Sequence, residues 1–177
     1  MKTFDATAEF VGAAVFPSIF ARPTFVKKNL LNIFAEEGII DPQVMGWYST
    51  QKLANFYQKV LKQYGPNTLF DLGKAVPETA VLPDGLDTLE KLLAALPMTY
   101  DMNHRNGYVG FLKIVSHNVE EKKIIVQSYT PYASDFTRGF LTAFIRLFRV
   151  GVRTTRDDEK SSVGEGYEDN WYTITYR

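Results

Sequence analysis

The sequence predicts one α+β domain, in which N-terminal helices pack on a small, mainly antiparallel sheet. Three observations carry this. Apolar residues recur at helical spacing through the first half of the chain, up to about Leu96. After Asn106-Gly107 the pattern changes to β-rich runs that come in two pairs. A capped apolar helix stands between the pairs, so the order is strand–strand–helix–strand–strand.

The segment 1–22 reads as an N-terminal arm. Phe10, Val11, Val15, Phe16, Ile19 and Phe20 cluster there without a clean period, so the expectation is an extended or partly helical stretch laid against the domain. The part 23–106 is helical. Pro23 and Thr24 open the first helix, because proline suits a first turn whose N–H has no partner. Val26, Leu30, Ile33 and Phe34 form its apolar face, and Gly38 stops it. Ser49 is the expected cap of a helix over 50–64, striped by Leu53, Phe56, Tyr57, Val60, Leu61 and Tyr64 and ended by Gly65-Pro66. A short helix is expected over 68–76, and Pro83-Asp84-Gly85 reads as a turn. Asp87 with Glu90 resembles a capping box. Leu86, Leu89, Leu92, Leu93 and Leu96 carry the next helix, which continues past Pro97 with a kink towards Met102.

The part 107–177 contains the sheet. Strands near 108–118 and 122–130 form one hairpin; strands near 150–157 and 170–176 form a second, in the same sheet. Between them a helix over 135–149 crosses, with Ser134 as its expected cap and Phe136, Phe140, Phe144, Leu147 and Phe148 on its apolar face. The polar, Gly-containing stretch after Arg156 is expected to be an exposed, mobile loop. No repeat on the 20–50 residue scale points to a solenoid.

Composition narrows the function classes. A formal net charge of zero argues against nucleic acid, which is met by a basic excess or patch. With no cysteine there is no disulfide scaffold, thiolate zinc site or cysteine nucleophile. The N-terminus lacks the basic flank and apolar core of a signal peptide. The run from Phe10 to Phe20 is broken by Gly12, Pro17 and Ser18, so no membrane insertion and a cytoplasmic location are expected. The 13 Phe and 10 Tyr serve either a solid core or an aromatic-lined pocket, and burial preference favours the core.

Catalytic signatures are absent. His104 and His117 lie 13 residues apart on different expected elements and make no zinc pair, so no metal is expected. The carboxylate pairs Glu36-Glu37 and Glu120-Glu121 sit beside basic residues, as solvated surface does. Gly164-Glu165-Gly166 lacks the ending of a phosphate loop. Arg138, Arg146 and Arg149, with Arg153 and Arg156 beyond, are the one basic concentration. They read as a solvated face paired with the acids at 157–159, or else as an anion clamp.

From Tyr132 the chain reads Tyr-Ala-Ser-Asp-Phe-Thr-Arg-Gly. This resembles the Tyr-x-Ser-x-Arg motif, followed by glycine, of the haem-nitric oxide/oxygen-binding (H-NOX) domains. The resemblance is clearest over 108–177 and looser over 50–107. It implies an H-NOX-like ligand-binding fold, a haem held by a proximal histidine, and propionates held by the Tyr-Ser-Arg set. Tyr132 and Ser134 match; Phe136 stands where the arginine belongs, and Arg138 follows two residues later. A bidentate guanidinium is the strongest carboxylate donor of that set. His104 is the one candidate proximal ligand, although a local role at the helix end is the favoured reading of it. These departures bring the chain closer to the haem-free relatives, the 4-vinyl-reductase-like and transport-particle-subunit domains.

The expectation is therefore a non-enzymatic sensor that encloses an apolar small molecule and signals to a partner, with no cofactor. Its pocket would be lined by Phe56, Tyr57, Phe136, Phe140 and Phe144. One alternative is a haem-based gas sensor using His104, Tyr132, Ser134 and Arg138. Another is a ligand-free interaction subunit that forms a homodimer or docks on a signalling protein.

Overall fold

The computed structural model describes residues 3–79, 85–164 and 167–177. The helical elements are α1 (Phe16–Phe20), α2 (Thr24–Glu36), α3 (Thr50–Tyr64), α4 (Pro66–Thr79), α5 (Leu89–Met102) and α6 (Ser134–Arg146). The strands are β1 (Glu9–Val11), β2 (Trp47–Ser49), β3 (His104–Arg105), β4 (Phe111–Asn118), β5 (Lys123–Thr130), β6 (Arg153–Arg156), β7 (Ser162–Gly164) and β8 (Tyr167–Thr175). This is the expected α+β class.

The main sheet runs β4-β5-β8-β6, with β7 also paired to β8, and every pairing is antiparallel. Both expected hairpins lie in it, and α6 crosses between them. The sheet has five strands where four were expected. The stretch read as a mobile loop contributes β7 and the start of β8, while residues 165–166 lie outside the described set. The start of β8 was missed because Glu168 and Asn170 are polar yet face inward, so period-2 apolar alternation fails there.

A second sheet, β2-β1-β3, ties the arm to the helical part. Its strands of two or three residues are too short to show any period. Glu9 and Phe10 face Arg105 and His104 across this sheet, so it fixes the backbone of His104.

Three helix caps differ from expectation. Ser49 precedes α3 without a side-chain cap bond; the Thr50 N–H donates instead to the Ala8 carbonyl at 3.0 Å. Thr88, not Asp87, caps α5, accepting from the Lys91 N–H at 3.2 Å. Asp87 is one turn from Lys91 and pairs with its ammonium at 2.8 Å. Ala133 is the cap residue of α6, and Ser134 is its first helical residue. Helix α4 is longer than the expected 68–76, starting at Pro66, which suits a first helical position. Of the expected turn at 83–85, Pro83 and Asp84 lie outside the described residues.

Two apolar clusters form the core. The first joins α1–α4 with Tyr132 and Ala133. The second joins α5, α6 and the inward face of the sheet, including Leu92, Leu96, Ile124, Val126, Leu141, Phe144 and Ile174. Tyr100 packs against both. Helices α4 and α6 meet backbone to backbone at Gly73 and Gly139. A Cβ on Gly73 would strike the Phe136 carbonyl, and one on Gly139 the Phe70 carbonyl.

Candidate functional site

The seam between the two clusters gathers aromatic side chains from five places in the chain. Tyr57 comes from α3, Tyr100 from α5, His104 from β3, Tyr132 from the β5–α6 connection and Phe136 from α6. Helix α5 ends at Met102 with Asn103 as its C-cap, and His104 follows directly: His104 Nδ1 lies 2.7 Å from the Tyr100 carbonyl. A carbonyl only accepts, so Nδ1 carries the proton. In the neutral ring Nε2 is then an acceptor. The Tyr132 hydroxyl lies 2.6 Å from Nε2 and donates to it. Burial lowers the His104 pKa from its ordinary value, against a smaller pull from the Tyr100 carbonyl, and so favours this neutral form.

The rings around the pair are closely packed. The His104 and Tyr132 rings stack at 5.7 Å, and Tyr100 lies 4.6 Å from His104. Tyr57 contacts Tyr132 edge-on at 6.0 Å and Phe136 at 4.7 Å. The Tyr100 hydroxyl donates to the Val109 carbonyl at 2.7 Å. Tyr57 differs: it is fully buried and its hydroxyl has no hydrogen-bond partner. Burial raises the phenol pKa of Tyr57, Tyr100 and Tyr132 well above the usual tyrosine value, so all three are neutral.

The sequence-derived sets are divided by the fold. Of the five expected pocket residues, Phe56, Tyr57 and Phe136 belong with the first cluster, whereas Phe140 and Phe144 belong with the second. Phe56 stacks on Phe34 at 3.9 Å, and Phe140 stacks on Phe144 at 5.1 Å. The α6 stripe is real, but it spans two cores instead of facing one space. The alternative set also splits. His104 and Tyr132 bond each other. Ser134 and Arg138 line a separate cleft with Arg156 and Tyr172.

Ser134 is not a side-chain cap: its N–H donates to the Glu168 carboxylate at 3.0 Å, and its carbonyl accepts from the Tyr172 hydroxyl at 2.9 Å. A carboxylate from β8 thus satisfies the start of α6. His117, given no role from sequence, pairs with the Tyr176 hydroxyl at 2.8 Å. Of the basic group, Arg156 lies 3.5 Å from Asp158, one of the acids expected to face it, whereas Arg149 lies 3.8 Å from Glu90 on α5. Missed from sequence was Tyr100, which packs against both clusters and joins Tyr57 and Tyr132, two residues expected in separate sets.

No family model and no curated protein matches the chain. Solved structures do. An oxygen-binding H-NOX domain related to soluble guanylate cyclases superposes with a TM-score of 0.67, covering 94% of each chain at 12% identity. A variant of the T. tengcongensis H-NOX gives 0.66, covering 94% of this chain and 97% of its own, also at 12% identity. A protein studied for the modulation of haem redox potential by porphyrin distortion gives 0.67 with 94% coverage of each chain and 12% identity. The chain has the H-NOX fold. At this identity the H-NOX likeness concerns architecture alone.

The residues can be tested against a haem. In favour, a metal-binding imidazole commonly donates its second N–H to a carbonyl, as His104 Nδ1 does to Tyr100. Against it, Nε2 already accepts from the Tyr132 hydroxyl, so its lone pair is taken. Phe136, packed on Tyr57, replaces the motif arginine. The seam as folded does not fit a haem. Among the described residues no group of three His, Asp or Glu side chains could hold a metal ion, and no helix is long and apolar enough to cross a membrane.

Proposed function

We propose that this chain is a haem-free, non-enzymatic sensor module. It takes an apolar small molecule carrying one polar atom at the seam between the helical part and the sheet. The Tyr57 hydroxyl carries this reading. A hydroxyl enclosed without a hydrogen bond costs about 1–3 kcal/mol, and a ligand atom placed against it would remove that cost. Tyr57, Tyr132 and Phe136 would wall the site, with Phe56 behind them and Phe140 and Phe144 extending the α6 stripe. The ligand-binding character of the H-NOX neighbours supports the reading. Occupancy would press on Tyr132 and through its hydrogen bond on His104, at the end of α5. The α5 terminus is the element offered for signalling to a partner.

Nile red, an apolar dye with a single ring carbonyl, tests it. The expected result is saturable fluorescence with the folded wild type, weakened severalfold in Tyr57→Phe. Absence of saturable uptake by the wild type sinks the ligand reading.

A second reading keeps the haem, favoured by the His104 tautomer: with Nδ1–H given to the Tyr100 carbonyl, Nε2 is the nitrogen that carries the lone pair. The absorption spectrum of protein expressed with a haem supply separates the two. A haem-free module shows no Soret band, whereas a stoichiometric band lost in His104→Ala reverses the assignment.

A further inference from the structure

We propose that the cleft between the first turn of α6 and edge strand β6 binds the oxyanion group, carboxylate or phosphate, of a small molecule. The cleft is open to solvent and has a volume of about 370 Å3, within the ~300–1,000 Å3 range of small-molecule sites. It shares no residue with the aromatic seam.

Two guanidiniums face this space. Arg138 is fixed on the α6 side: its Nη2 donates to Asp135 at 2.9 Å, and the group lies over the Phe70 ring at 4.6 Å. A guanidinium has five N–H donors, and this pairing uses one. Arg156 comes from β6, opposite Tyr172 in the sheet register. Its Nε is closed off from solvent and makes no hydrogen bond. Asp158 Oδ1 lies 3.5 Å from that nitrogen without hydrogen-bond geometry, on a carboxylate that is 82% exposed.

A charged N–H enclosed without an acceptor is costlier than a neutral one. An oxygen of a bound anion supplies the missing acceptor, with Asp158 swinging into water. The Ser134 hydroxyl adds a further donor at the same wall. Asp135 and Asp158 balance the two arginines, so the cleft has no net positive field. Recognition rests on fixed donor geometry, and affinity for a bare ion is therefore low, around millimolar.

The test is an amide NMR titration at constant ionic strength, with inorganic phosphate in one arm and acetate in the other, against sodium chloride. Saturable shifts at Ser134, Asp135, Arg138, Arg156 and Asp158 are expected in at least one arm, and the arm that responds identifies the oxyanion. Arg156→Gln should weaken binding about tenfold or more, because it removes a charged partner in an enclosed place. Asp158→Asn, at an exposed position, should tighten it severalfold by removing the competing carboxylate. No saturable shift in either arm, an equal response to chloride, binding that survives Arg156→Gln, or unchanged affinity in Asp158→Asn each overturns the proposal.

Discussion

Replacing Tyr132 by Phe isolates the hydrogen bond at the centre of the seam. The phenyl ring keeps its stack on His104 at 5.7 Å and its edge contact with Tyr57 at 6.0 Å, so no cavity term enters. What is lost is the one donor to His104 Nε2, which cannot turn to another proton because Nδ1–H is committed to the Tyr100 carbonyl. A buried acceptor left unsatisfied costs about 1–3 kcal/mol. For a domain of this length each kcal/mol lowers Tm by about 2–4 °C, so the drop should be about 2–12 °C. Urea unfolding is the assay: the midpoint should fall while the slope m stays unchanged, marking a loss of stability without a change in compactness. A double-mutant cycle with His104→Leu should return most of the loss as coupling energy. A loss under about 0.5 kcal/mol, the size of an ordinary surface substitution, would refute the pairing of His104 with Tyr132.

Two further outcomes follow from the same packing. Burial holds the folded His104 pKa below its ordinary 6.5, so the unfolded chain binds more protons in the window between the two values. The His104 contribution to stability is complete above about pH 6.5 and lost as pH falls below it; urea midpoints from pH 8 to pH 5 should decline more steeply for the wild type than for His104→Gln. Gly139→Ala drives a methyl into the Phe70 carbonyl across the α4–α6 contact and should cost about 1–3 kcal/mol. A thermal melt unchanged by that substitution would mean the two helices do not meet there.

Much of the fold was legible because its elements carry local signals. The stripe from Leu53 to Tyr64 places α3 at Thr50–Tyr64, and the apolar alternation of Ile124 and Val126 marks β5. The crossing helix between two hairpins follows from element order, and with it the H-NOX-like architecture. Where a partner distant in sequence supplies what a local signal normally would, the reading failed. Ser49 and Ser134 have the right chemistry for caps, yet the Ala8 carbonyl and the Glu168 carboxylate take up those helix starts. The beginning of β8 hides inward-facing polar residues, one of which, Glu168, takes its partner from α6.

The site divides along the same line. The residues themselves determined that no cysteine chemistry is available, that Phe136 stands where the resembled motif has arginine, and that His104 lies near an expected helix end. Tertiary structure alone decided the partners of those residues. It set Tyr132 against His104 across 28 residues and left the Tyr57 hydroxyl unbonded. It also split the α6 phenyl stripe between two cores and opened the arginine cleft at the sheet edge. The reason is physical: helical and strand periods record which face of an element is buried. Hydrogen-bond satisfaction at a seam depends on atoms that different elements bring together only once the chain has folded.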